Sequence, residues 1–197
     1  LDLIIAAKRV GPSGKVIGVD MTDEMLLRAQ RNIYQAGVEN AEVRKGIIEA
    51  LPVGDGEVDW VVSNCVINLS PEKETVFAEI ARVLRPGGRI SVSDIVASQL
   101  PDWVLENADL YSSCIAGAIS QQAYCEGLRQ AGLVDVEVAD RLIYDADQLG
   151  ALVGAPANGA SSCCGGTPIP VPPGGLAELE GSVFSIRVTA RKPKEME

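Results

Sequence analysis

Lys15-Val16-Ile17-Gly18-Val19-Asp20 is a short β-rich apolar run that ends in a carboxylate, and Thr22-Asp23-Glu24 follow it with the cap and acidic first turn of a helix. That helix is expected to run to about Gln35, with Gly37 ending it. The strand-then-helix unit recurs downstream. Ala41 to Lys45 and Val58 to Ser63 read as strands, and Ser70-Pro71-Glu72 opens a helix to Leu84. Pro86-Gly87-Gly88 then forces a turn before a strand from Arg89 to Ser93. Strands alternating with helices on short connections predict an α/β fold with a doubly wound, mostly parallel sheet covered on both faces. Val16 to Val19, Val43 to Lys45, Val58 to Ser63 and Arg89 to Ser93 are expected to be neighbours in it.

Beyond Asp94 the pattern loosens. A less regular helical stretch covers Trp103 to Ile119, a helix covers about Gln121 to Gln130, and Leu133 to Val138 reads as a strand. Ser182 to Ala190 is the last strand candidate, expected to run antiparallel. Between these lies a stretch, residues 154 to 175, rich in Gly, Pro, Ala and Ser and lacking periodicity. It is read as a loop or a functional lid. The sequence therefore divides into a core over residues 1–145 and a C-terminal loop and strand over 146–197.

The chain opens on Leu1 within an amphipathic pattern (Leu1, Ile4, Ile5, Ala6, Val10) that has no cap before it. The expectation is a chain that starts just after the first strand and glycine loop of its sheet. Seventeen basic residues against 27 acidic ones give a net charge of −10, with no basic stretch interleaved with aromatics, so nucleic acid is excluded as a partner. No apolar run is long enough to span a bilayer, and the five unevenly spaced cysteines predict reduced thiols in a cytoplasmic protein. Histidine is absent, which leaves thiols and carboxylates to carry any chemistry.

Asp20 closes the second strand of the expected sheet, where an open α/β architecture sets a carboxylate to receive both hydroxyls of a ribose. An ordinary helix-start carboxylate is the plainer reading. Two further blocks bear on the choice. Val83-Leu84-Arg85-Pro86-Gly87-Gly88-Arg89-Ile90 resembles the turn before the fifth strand of class I methyltransferases. Glu49-Ala50-Leu51-Pro52, followed by Val58-Asp59-Trp60-Val61-Val62, resembles their adenine-contacting loop and fourth strand. The resemblance implies S-adenosyl-L-methionine as cofactor. Asp20 would hold the ribose, Met21 would pack on the adenine, Ile48 and Glu49 would flank the base, and Asn64 would face the methionine part.

Ser63-Asn64-Cys65-Val66-Ile67-Asn68-Leu69-Ser70-Pro71 and Tyr111-Ser112-Ser113-Cys114-Ile115-Ala116-Gly117-Ala118-Ile119 resemble arsenite methyltransferases, a likeness that runs to about residue 140. It implies methyl transfer to thiol-bound trivalent arsenic, with Cys65 and Cys114 as two of the arsenic ligands and a further family cysteine upstream of this chain. The residue type suits the task, because a soft trivalent centre prefers thiolate ligands. The implied partners are arsenite or its thiol conjugates and a cellular dithiol reductant. Either cysteine alone could instead fill a core. Cys125, mid-helix and without a motif, is read as a packing residue. Cys163 and Cys164 are read either as an arsenite capture site or as part of a functionless loop. Two alternatives stay open: another small-molecule methyltransferase of quinone or sterol type, and a non-catalytic metalloid-binding protein.

Overall fold

The computed structural model describes residues 1–106, 114–152 and 171–194. It divides into two compact units, residues 1–54 and 55–197, each taken by itself below.

In the first unit, helix α1 (Asp2–Val10) precedes strand β1 (Val16–Asp20), helix α2 (Asp23–Gln35) and strand β2 (Ala41–Lys45). β1 and β2 pair in parallel from Val16↔Ala41 to Asp20↔Lys45, so both carboxyl ends open on one side. Asn40 ties the unit together. Its side-chain amide donates to the carbonyls of Ala7, Gly11 and Gly14 at 3.0, 2.7 and 3.0 Å, joining the end of α1 to the start of β2. Thr22 occupies the N-cap of α2 as expected, yet its side chain makes no capping bond. The hydroxyl is given to Asp20 instead.

The second unit holds strands β3 (Val58–Asn64) and β4 (Leu84–Ala97), with a 3₁₀ turn (Ile67–Leu69) and helix α3 (Lys73–Val83) between them. Helices α4 (Asp102–Leu105) and α5 (Gln121–Gln130), strand β5 (Val134–Ile143), helices α6 (Ala146–Leu152) and α7 (Gly175–Leu179) and strand β6 (Val183–Arg191) follow. The sheet order is β3-β4-β6-β5. β3 and β4 are parallel; β6 runs antiparallel to both β4 and β5. The late antiparallel strand is thus where the sequence puts it, shifted by one residue.

Three expectations are corrected. The four strands expected as neighbours fall into two sheets, β1-β2 and β3-β4-β6-β5, because no strand among the described residues hydrogen-bonds to both β1 and β3. The strand expected from Arg89 begins at Leu84, since Pro86-Gly87-Gly88 is taken up as an irregularity and not as a break. Val58 pairs with Leu84 and Trp60 with Arg89, so extra residues of β4 bulge out between these two registers. Gly87 makes this possible with φ 79°, a left-handed conformation that favours glycine. Its amide donates to the Lys192 and Pro193 carbonyls, anchoring the bulge beyond β6. Finally, the helix after Ser70 starts at Lys73, because the Ser70 hydroxyl accepts from the Glu72 amide in a tight turn.

Ile95, Val104, Ile115, Leu149, Leu179 and Val183 form a buried cluster at the carboxyl end of β4, with Cys114 inside it and Cys65 packed against it. Among the described residues no helix is long and apolar enough to cross a membrane.

Candidate functional site

In the first unit the predicted cofactor residues gather at the carboxyl ends of β1 and β2. Asp20 Oδ1 accepts from both the backbone amide and the hydroxyl of Thr22, each at 2.8 Å. These bonds fix the carboxylate plane while Oδ2 makes no bond among the described residues. The Gly46 amide donates to the Asp20 carbonyl at 3.1 Å, which brings the turn after β2 beside it. That turn is closed by an Ile47↔Ala50 bridge and carries Ile48 and Glu49, both half-buried. Met21, the next residue, stands 66% exposed. A carboxylate with one oxygen held and one open, beside the exposed Met21 and the half-buried Ile48, fits a ribose carrying a flat aromatic base.

In the second unit Asn64 is the last residue of β3, paired with Ser93 and exposed. Cys65 follows with φ 54°, its amide donating to the Ser93 carbonyl at 2.8 Å. Cys114, 49 residues on, has φ 65° and directs its thiol at the Cys65 carbonyl, Sγ to O 2.9 Å. The structure therefore brings these two cysteines together at the end of β3. Left-handed backbone at a residue other than glycine costs about 1–3 kcal/mol and persists only where surroundings enforce it.

Four residues that sequence reasoning passed over surround the pair. Asn68, fully buried, donates through Nδ2 to the Ile95 carbonyl at 2.6 Å and the Cys114 carbonyl at 3.2 Å. Asp94, 1% exposed, accepts from the Tyr124 hydroxyl at 2.7 Å. Burial pushes its carboxyl up to about 6, although Tyr124, the backbone N–H of Asn68 and Lys73 all favour the charged form. Burial, and then the Asp94 charge, raises the Cys65 thiol, which keeps it protonated. Burial lowers Lys73, opposed by Asp94 and Cys114; its ammonium donates to the Ser70 carbonyl at 2.9 Å. A signal was available in Ser91-Val92-Ser93-Asp94-Ile95-Val96, where an acidic residue interrupts an apolar strand.

Cys125 is buried on α5, consistent with the packing role read from sequence. Cys163 and Cys164 lie outside the described residues. Among the described residues no three Cys, Asp or Glu side chains converge as a metal-holding group.

The arrangement of strands and helices defines a class I methyltransferase fold. Geranyl diphosphate C-methyltransferase from Streptomyces coelicolor A3(2) shares it at a TM-score of 0.70 over 96% of this chain and 67% of that one, with 17% identity. The chain belongs to the methyltransferase domain family, whose model matches residues 2–132. Within it, the chain is 47% identical to the arsenite methyltransferase of Halobacterium salinarum over 141 residues, 71% of this chain and 36% of that protein. It is also similar to the arsenic(III) S-adenosylmethionine methyltransferase of Chlamydomonas reinhardtii, with 31% identity and a TM-score of 0.64 over 96% of this chain and 58% of that structure. The chain thus spans little more than a third of the length of the curated relative.

Proposed function

We propose that the whole protein transfers a methyl group from S-adenosyl-L-methionine to trivalent arsenic held by Cys65 and Cys114. The observation that carries this reading is the Cys114 thiol lying 2.9 Å from the Cys65 carbonyl, both residues in left-handed backbone. Core filling needs neither the convergence nor the strain. The likeness to arsenite methyltransferases at 47% and 31% identity supports the same substrate.

Arsenite binds by exchange: each thiol replaces one hydroxyl on arsenic, and the thiol proton leaves with that hydroxyl as water. Two thiols yield a dithiolated As–OH centre and two waters, with no change in oxidation state. Because the proton leaves in the same step, the raised Cys65 thiol is no obstacle and no general base is required. Thiolate ligation keeps arsenic trivalent, so its lone pair stays available. Bound S-adenosyl-L-methionine supplies an electrophilic methyl on a sulfonium. The chain's contribution is positional: Asp20 receives the ribose hydroxyls, Met21, Ile48 and Glu49 flank the adenine, and the thiols fix the arsenic. Repeated methylation calls for a dithiol reductant from the cell.

In the whole protein, Cys65→Ser and Cys114→Ser should each abolish or sharply reduce arsenite methylation, a hydroxyl being a poor ligand for a soft centre. Cys125→Ser should leave turnover largely intact. Wild-type turnover by Cys65→Ser would withdraw arsenic and leave only the general methyltransferase reading.

A further inference from the structure

We infer that Asn68 is the positioning residue of the thiol pair. This rests on the reading that Cys65 and Cys114 together hold a trivalent arsenical. Asn68 lies three residues after Cys65 in the 3₁₀ turn Ile67–Leu69 and is fully buried. Its amide uses both hydrogens, one on the Ile95 carbonyl at 2.6 Å and one on the Cys114 carbonyl at 3.2 Å. The first bond locks the turn onto β4. The second reaches across to the Cys114 segment, whose thiol returns to Cys65 at 2.9 Å.

These contacts close a ring, from Cys65 along the chain to Asn68, across to Cys114, and back through the Cys114 thiol. The ring has two hydrogen bonds between the segments, and they respond differently to a ligand. The Cys114 S–H is consumed when its sulfur bonds arsenic, so its bond to the Cys65 carbonyl disappears. The Asn68 amide remains. Asn68 is therefore the bond of this ring that still ties the Cys114 segment to the turn after Cys65 in the loaded state. An amide is needed, because a carboxylate would set negative charge against two carbonyl oxygens where two donors now sit.

Phenylarsine oxide tests this directly. It takes two thiols at once, forming two As–S bonds and releasing its oxygen with the two thiol protons as one water. In a Cys163→Ser/Cys164→Ser background, which removes the second thiol pair, fluorescence or calorimetric titration should show one equivalent bound by the parent chain and weaker binding, by about tenfold or more, once Asn68→Ala or Asn68→Asp is added. Both variants should keep a cooperative urea unfolding transition, which a collapsed site would not show. Unchanged phenylarsine oxide affinity in a folded Asn68 variant overturns the inference. Absence of binding by the parent chain lacking Cys163 and Cys164, or undiminished binding when Cys65→Ser or Cys114→Ser is added to it, instead overturns the two-thiol reading beneath it. If neither Asn68 variant folds, the wild-type chain decides: the Asn68 side-chain amide hydrogens should stay protected from solvent exchange after phenylarsine oxide is added, and loss of that protection overturns the inference.

Discussion

Asp94 illustrates how a single buried carboxyl leaves a thermodynamic trace. Its pKa is raised from 3.8 to about 6 in the folded chain, with burial the largest cause. Between these values the folded form binds more protons than the unfolded one, so this group's contribution falls as pH rises through that window and is flat above it. A shift of this size is worth roughly 2–4 kcal/mol. Asp94→Asn removes the dependence while retaining an acceptor for Tyr124. The variant's stability relative to wild type should rise from about pH 4 to just above pH 6 and then level off, measured by urea midpoints across pH. A difference independent of pH would show that Asp94 is not the titrating group. Asp20 offers a contrasting case, being fixed by Thr22 through one oxygen only. Asp20→Ala should weaken S-adenosyl-L-methionine in the whole protein by about 1.5–3 kcal/mol for each charge-assisted hydrogen bond lost, as read by calorimetry. Arsenical binding should survive that change.

The packing of α5 on α3 turns on one glycine at the element scale. A Cβ at Gly127 would fall 2.6 Å from Cδ2 and Cε2 of Phe77, a ring that is itself 1% exposed and packs edge-on against Tyr124 at 5.2 Å. Helix propensity favours alanine over glycine by about 1 kcal/mol, but overpacking a buried ring costs roughly 1–3 kcal/mol. Gly127→Ala should therefore lower the urea midpoint, and the same change in a Phe77→Leu background should cost less or stabilise. Equal effects in the two backgrounds would refute the contact. The helix itself was legible, because Gln121 to Gln130 carries its apolar residues at helical spacing; the reason for a glycine inside it was not, since that lies 50 residues away in Phe77. The same division holds at the site. Cys65 and Cys114 stand out through the family resemblance of the segments that carry them, and Asp20 through its place at a strand end taken together with the other resembling blocks. Asn68, Asp94 and Tyr124 act through partners 27 to 46 residues distant, which no local pattern reports. The Pro86-Gly87-Gly88 bulge was misread for a related reason: what keeps it in the strand is the carbonyl pair of Lys192 and Pro193 near the other end of the chain.

At the scale of the whole molecule, the sheets leave edges that bear on behaviour in solution. Among the described residues of the second unit, β3 has a hydrogen-bonded neighbour on one side only, β4, and it exposes Trp60 by 53% and Val62 by 68%. An edge strand with unpaired amides and carbonyls and exposed apolar side chains is a template for pairing with another chain. The Arg89 guanidinium, 5.8 Å from the centre of the Trp60 ring, places one positive charge over this face. A net charge of −10 opposes association by general repulsion, so two forces compete, local edge pairing and global charge. Val62→Lys separates them. It puts a charge on the edge, which disfavours pairing, and it brings the net charge one unit closer to zero, which weakens repulsion. Edge control predicts less self-association for Val62→Lys than for wild type in sedimentation velocity at high protein concentration, with little change in the unfolding midpoint because the residue is largely exposed. Greater association of the variant would show that charge repulsion governs and that the β3 edge is not the contact.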